Sequence, residues 1–228
     1  FGSGACFFNK KPAYIETINN INGDIVNLFR VCRDYPEELA KAISLTPFAR
    51  DEFVNCNAPS DNLVEQARRT LVRYHQSFGT SNSSKNSWRH VQTYGGPRCA
   101  TMRNGLPEVI IKSCERLKEA QIENTDALIL IERYNDENTL IYLDPPYLQN
   151  LRKRNMYACE MTDEQNIEIL KLIKESKSKI ILSGYNNELY NKELSDWYTA
   201  EKKTTAQTGL HRTEKLWINF EPNGRLCL

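Results

Sequence analysis

The chain has 228 residues with 40% apolar and 26% charged side chains, ample for a full core and ordinary for a soluble globular protein. No apolar run approaches the roughly 20 residues that would cross a bilayer, which argues against a membrane role. Seven scattered cysteines without a C-x-x-C pair, and three histidines, favour neither a disulfide framework nor a metal site and fit a reducing cytoplasm. The formal charge of +1 conceals an asymmetry. From Gln66 to Leu106 there is no Asp or Glu, while Arg68, Arg69, Arg73, Lys85, Arg89, Arg98 and Arg103 supply seven positive charges, so that subtraction leaves −6 for the remainder. Tyr74, His75, Phe78, Trp88, His90 and Tyr94 are interleaved with this block. Phosphate contacts together with base stacking would need that mixture, although a solvated basic loop has a similar composition.

In chain order, "FGSGAC" comes first and places Gly2 and Gly4 where the backbone turns tightly or approaches a ligand. It is not the dinucleotide fingerprint, because Phe7 stands where the third glycine would fall. The chain opens at Phe1, inside what reads as a working loop, so a fragment is expected. Ala13 to Asn19 reads as a strand, Asp24 to Arg33 as a helix with Ile25, Leu28, Phe29 and Cys32 on one face, and Pro36 to Leu45 as a second helix. The pattern then turns polar from Thr46 to Leu106, with a helix expected only over Asn62 to Phe78, and 46–106 reads as an insertion. The α/β rhythm resumes with a helix over Leu106 to Ala120, a strand over Gln121 to Asn124, a helix over Asp126 to Tyr134 and a short buried strand over Leu140 to Leu143.

That strand runs into "LDPPYLQN". Two prolines cannot donate to a sheet ladder and push their predecessors out of the helical region, so Asp144-Pro145-Pro146-Tyr147 forms a stiff, extended exit. In open α/β sheets ligands sit at the carboxyl ends of strands, which makes an acid and an aromatic residue there a candidate site. Arg152, Lys153 and Arg154 follow closely and could clamp phosphates. Thr162 and Gln165 form a capping box for the next helix. Lys179 to Ser183 is a buried strand ending at Gly184-Tyr185, and strands over Trp197 to Lys203 and Thr213 to Phe220 can pair antiparallel.

"FGSGA", "ETINNINGDIVNLFR", "IENTD", "LIYLDPPY", "ILSGY" and "RTEKLWIN", in this order, resemble the Dam-type adenine-specific DNA methyltransferases of the alpha-ordered group. The resemblance covers nearly the whole chain and is weakest over Pro47 to Leu106, where that family keeps its target-recognition domain. It implies a three-layer S-adenosylmethionine (AdoMet)-dependent methyltransferase fold of class α/β. The sheet would be mixed, mostly parallel and closed by an antiparallel hairpin, with its N-terminal strand missing here. The catalytic domain would comprise 1–45 and 107–228, and 46–106 would be a mainly helical recognition region.

The resemblance further implies that Phe1, Gly2, Ser3 and Gly4 wrap AdoMet and that Asn20 faces its ribose, where the family usually has an aspartate. Asp126 would hold the adenine, with Ala127 contributing backbone, and Asp144 would border the same ligand. Catalysis would fall to Asp144, Pro145, Pro146 and Tyr147, acting on the N6 amine of a flipped adenine in double-stranded DNA, with no metal. The basic residues named above would contact that DNA. A monomer or weak dimer in the cytoplasm is expected, and poor transfer, since the loop start and Asn20 both weaken the AdoMet site. A methyltransferase acting on cytosine or a protein glutamine, or a DNA-binding relic, are the alternatives.

Overall fold

A computed structural model describes residues 4–77, 88–89, 105–146, 161–205 and 211–222. The chain divides into two compact units, Phe1–Asn124 and Thr125–Leu228.

The first unit is mainly helical. Its helices are α1 (Ala5–Asn9), α2 (Gly23–Asp34), α3 (Pro36–Leu45), α4 (Arg50–Asn55), α5 (Leu63–Gln76) and α6 (Leu106–Leu117). Two short strands, β1 (Thr17–Asn19) and β2 (Gln121–Glu123), pair in parallel with Ile18 opposite Ile122. The core joins Phe7, Ile18, Ile25, Leu28, Phe29, Val31, Leu39, Ile43, Ala67, Ile110, Cys114 and Leu117. The strand expected from Ala13 begins only at Thr17, because Tyr14 and Ile15 project into solvent. A side-chain cap starts α2, where Asn22 accepts from the Asp24 amide at 3.0 Å, and another starts α5, where Asn62 accepts from Glu65 at 2.9 Å.

Helix α5, from the segment that reads as an insertion, packs against α2 and α3 and contributes Ala67 to this core. Its basic residues are matched by acids lying before the acid-free run. Arg68 binds Glu65 at 2.7 Å and Glu52 at 2.8 Å, Arg69 binds Glu65 at 2.7 Å, and Arg73 binds Asp24 of α2 at 2.5 Å. Gln66 also donates to Asp24, at 2.8 Å. The short α4 is not expected from sequence; six residues give too little periodicity to read, and Phe53 alone is buried from it.

In the second unit α7 (Ala127–Arg133), α8 (Asp163–Glu175) and α9 (Glu188–Glu193) accompany a four-stranded sheet in the order β3 (Leu140–Leu143), β4 (Lys179–Tyr185), β6 (His211–Ile218), β5 (Tyr198–Thr205). β3 and β4 run parallel, and the other pairings are antiparallel. The capping box of Thr162 and Gln165 is present, as expected. Ile131, Ile169, Leu170, Ile173, Ile180, Leu182, Tyr190, Leu194 and Trp217 form the core on one face of this sheet. Tyr190 donates to Asn166 at 2.6 Å and meets Trp217 edge to face at 5.3 Å.

The strand expected to be buried is only half so. Ile141 and Leu143 pack toward the helices, whereas Leu140 and Tyr142 on the alternate face are 57% and 43% exposed. β3 ends the strand order, and the core that covers its sheet lies on one face. An α/β fold with two sheets is thus present. No described helix is long and apolar enough to cross a membrane.

Glu65 offers a test of the ion-pair cluster. The hydrogen bond from Arg68 holds its carboxyl down at about 2, against the opposing effect of partial burial and with further help from Arg69. A depressed folded-state value means stabilisation that is complete above the unfolded value of 4.5 and lost as pH falls through about 2. Glu65→Gln is therefore expected to lower Tm at pH 7, and the gap from the parent should close between pH 4.5 and 2 in a thermal-melt series.

Candidate functional site

Gly4 stands at the N-cap of α1 with φ 71° and ψ 13°, a left-handed conformation that an L side chain adopts only at a cost on the order of 1 kcal/mol. Glycine is thus required by the turn itself. Its carbonyl accepts from the Phe8 amide at 2.9 Å. Phe1, Gly2 and Ser3 lie outside the described residues.

Asn20 directly follows β1 at its carboxyl end. Its Oδ1 accepts from the Asn22 amide at 2.9 Å, which closes a turn into α2, and its own amide donates to Glu123 across the strand pair at 3.3 Å. Asn124 Nδ2 reaches the Asn20 carbonyl at 2.7 Å. One lone pair of the side-chain oxygen is thus used by the turn, which leaves its second lone pair and Nδ2 for other partners. Asn22 and Asn124, which secure this strand end, carry no signal in the sequence that singles them out.

The remaining residues expected at the cofactor and in catalysis fall in the second unit. Asp126 caps α7, with Oδ1 accepting from Leu128 N–H at 2.9 Å. Ala127 occupies the first helical position, where an N–H has no acceptor within its own helix.

Asp144 leaves β3 at its carboxyl end. Register sets its neighbour: Leu143 faces Leu182, so the next residue faces Ser183, whose side chain hydrogen-bonds to the carboxylate. Crowding by protein atoms pushes the Asp144 carboxyl above its ordinary 3.8, Glu214 adds to that rise, and the Ser183 hydrogen bond opposes it. The side chain nevertheless keeps access to solvent. Such an acid accepts hydrogen bonds from an approaching amine and holds a proton more readily than a surface aspartate. Pro145 and Pro146 lack N–H groups, so their backbone can act only as an acceptor. Ser183 is visible in sequence as part of "SGY", but its partnership with Asp144 depends on register, which no local pattern states.

Of the ten basic residues expected at DNA, Lys85, Arg98, Arg103, Arg152, Lys153 and Arg154 lie outside the described residues, as does Tyr147. Arg68, Arg69 and Arg73 make the ion pairs given above. Arg89 is half-buried, and its amide donates to the Gln76 carbonyl at 2.7 Å beside the Ser77–Trp88 bridge. Trp88 is packed by Phe48 at 5.4 Å and lies under the Arg50 guanidinium at 4.9 Å, while its Nε1 reaches Gln76 Oε1 at 3.2 Å. No group of three or more His, Cys, Asp or Glu able to hold a metal occurs among the described residues.

A sheet closed by an antiparallel hairpin carries an acid followed by two prolines at the carboxyl end of a parallel strand, the end at which open α/β sheets commonly bind ligands. The family model of the D12 class N6 adenine-specific DNA methyltransferases matches residues 1–209. The chain belongs to this family and is an adenine-specific DNA methyltransferase. Among curated proteins none matches it. The family acts on DNA, and methyltransferases of this kind generally take the methyl group from AdoMet.

Asp126 should show its capping role directly. Asp126→Ala is expected to cost about 1 kcal/mol of stability, and Asp126→Asn, which keeps an acceptor at the cap, far less. Comparing the melting temperatures of the two variants checks this.

Proposed function

We propose that the protein methylates the N6 amine of an adenine flipped out of double-stranded DNA, with Asp144 and the Pro145 carbonyl accepting hydrogen bonds from that amine and Tyr147 stacking on the base. The observation that carries this reading is the Asp144 carboxylate, set by strand register beside Ser183, raised in pKa yet open to solvent. Two acceptors on an amine favour its pyramidal form, which frees the lone pair from the ring. As nitrogen gains a methyl group it sheds a proton, and a carboxylate of raised pKa beside it is a suitable recipient. Flipping costs a few kcal/mol, offset by stacking and by these hydrogen bonds.

The described residues fit an adenosyl ligand in their chemistry. Gly4 gives a turn without a side chain, Asn20 offers a donor to a ribose oxygen, and Ala127 has an N–H at a helix start. On the family resemblance, Gly2, Ser3, Asp126 and Asp144 are proposed as further contacts of the cofactor. When bound, AdoMet supplies a methyl group already activated on a sulfonium, so the protein's share is positioning and electrostatics. Lys85, Arg89, Arg98, Arg103, Arg152, Lys153 and Arg154 are proposed to contact DNA. Arg68, Arg69 and Arg73 would hold that region's helix in place and share its positive field.

Asp144→Asn is expected to slow single-turnover methylation by on the order of 10²–10³-fold while DNA affinity at fixed salt stays within a few-fold. A raised folded-state pKa means that ionised Asp144 reduces stability above that value, so Tm should hold or rise. In the parent the rate should fall as pH drops through that raised value, because the acceptor form is lost. A variant that methylates at the parent's rate overturns the role of Asp144. For DNA, replacing Arg89 and Arg98 with Ala should flatten the salt dependence of binding by roughly one counterion for each phosphate that these side chains neutralise. An unchanged slope would remove both from the interface.

A further inference from the structure

Glu16 lies directly before β1 and is only 8% exposed, so its charge has left water and requires compensation. Two cations provide it. Lys10, the C-cap of α1, bonds Oε1, and Arg116, from the last turn of α6, places Nη2 2.5 Å from Oε2. Burial alone would raise the Glu16 carboxyl, but the contacts with Lys10 and Arg116 outweigh it and leave the carboxyl below its ordinary range. The Arg116 guanidinium also lies over the Phe7 ring, with Cζ 3.8 Å from the centroid, and its Nη2 is 3.5 Å from the Phe7 carbonyl oxygen.

These contacts converge on α1. A five-residue helix cannot sustain itself, its N-cap carries no side-chain bond, and Phe7 is its one buried side chain. What fixes Phe7 therefore fixes α1 and, one residue before it, the left-handed turn at Gly4. Arg116 Nε and Nη1 are buried with no hydrogen-bond partner, a cost that an apolar side chain of equal length would avoid. The guanidinium thus compensates the Glu16 charge and, at the cost of two unpaired N–H groups, also orients α1. We propose that Arg116, anchored by Glu16, is a positioning residue that holds the Gly4 turn in its ligand-binding shape through Phe7. The functional half of this inference rests on the AdoMet reading of the turn given above.

Arg116→Met keeps side-chain length and contact with the ring but removes the charge, whereas Arg116→Lys keeps the charge. Hydrogen exchange of Gly4–Lys10, measured without ligand, should quicken about tenfold in Arg116→Met while α2 and α3 stay protected. KM for AdoMet should rise about tenfold, with kcat at saturating AdoMet within about twofold, and Arg116→Lys should fall between. Unchanged exchange in a folded Arg116→Met overturns the latch. Faster exchange with KM unmoved reduces it to a structural tie and overturns its functional role. If Arg116→Met does not fold, Glu16→Gln, which leaves the arginine on the ring, is read by the same two measurements. Collapse of both variants would make the cluster a determinant of folding and overturn the proposal. Absence of AdoMet binding by the parent chain in calorimetry would sink the cofactor reading separately, with exchange still deciding the latch.

Discussion

Parallel pairing of β3 with β4 sets Leu143 opposite Leu182, and one residue further the same register carries Asp144 to Ser183. A slip of one residue would turn Ile141 and Leu143 away from the core and present Leu140 and Tyr142 in their place, so burial of one face locks the position of the acid. The lock is strong because Ile180, Leu182 and Trp217 are wholly buried beneath α8 and α9, and the antiparallel β4–β6 pairing places Trp217 opposite Leu182. The prolines then end the ladder where the acid begins, so a carboxylate disfavoured by its surroundings is held by a core it does not share.

The sequence disclosed features that depend on neighbours along the chain. The capping box at Thr162, the hairpin of β5 and β6, the periodic faces of α2 and α6, and the stiff exit at Asp144-Pro145-Pro146 all follow from local spacing. Helices as short as α1, α4 and α9 leave no periodic signal, and none of the three is legible in the sequence. "AYIETIN" misleads in the other direction: its β-branched and aromatic residues suit a strand, yet Tyr14 and Ile15 find nothing to pack against and only Thr17 to Asn19 pair.

Charge patterning is legible along the chain but says little about space. The long run without an acid, Gln66 to Leu106, reads as an exposed positive field. In the folded first unit, Asp24 of α2, Glu52 of α4 and Glu65 at the start of α5 reach Arg68, Arg69 and Arg73, and half-buried guanidinium groups become ties between helices. Likewise, the departure at Asn20 looks in sequence like the plain loss of a charge. In the fold its oxygen accepts from the Asn22 amide, so the residue also closes the turn into α2, a role that the pattern of charges does not state.

Both strand ends that carry the proposed chemistry are held by polar contacts within their own unit, and the two arrangements differ in kind. At β1 the tie is made of neutral groups: three asparagines and the main chain share hydrogen bonds, each of which exchanges a bond to water for a bond to protein at small net gain. At β3 the tie among the described residues is the Ser183 hydroxyl on a carboxylate that its surroundings disfavour. A neutral network can be rigid at any pH, and it suits a surface that only has to present donors and a turn. A carboxylate of raised pKa responds to whatever approaches it, because a donor arriving at that oxygen relieves a penalty that Ser183 only partly offsets. On the proposed reading, that difference in electrostatics, rather than in position along the chain, separates the residues that would hold a ligand from the residue that would act on one.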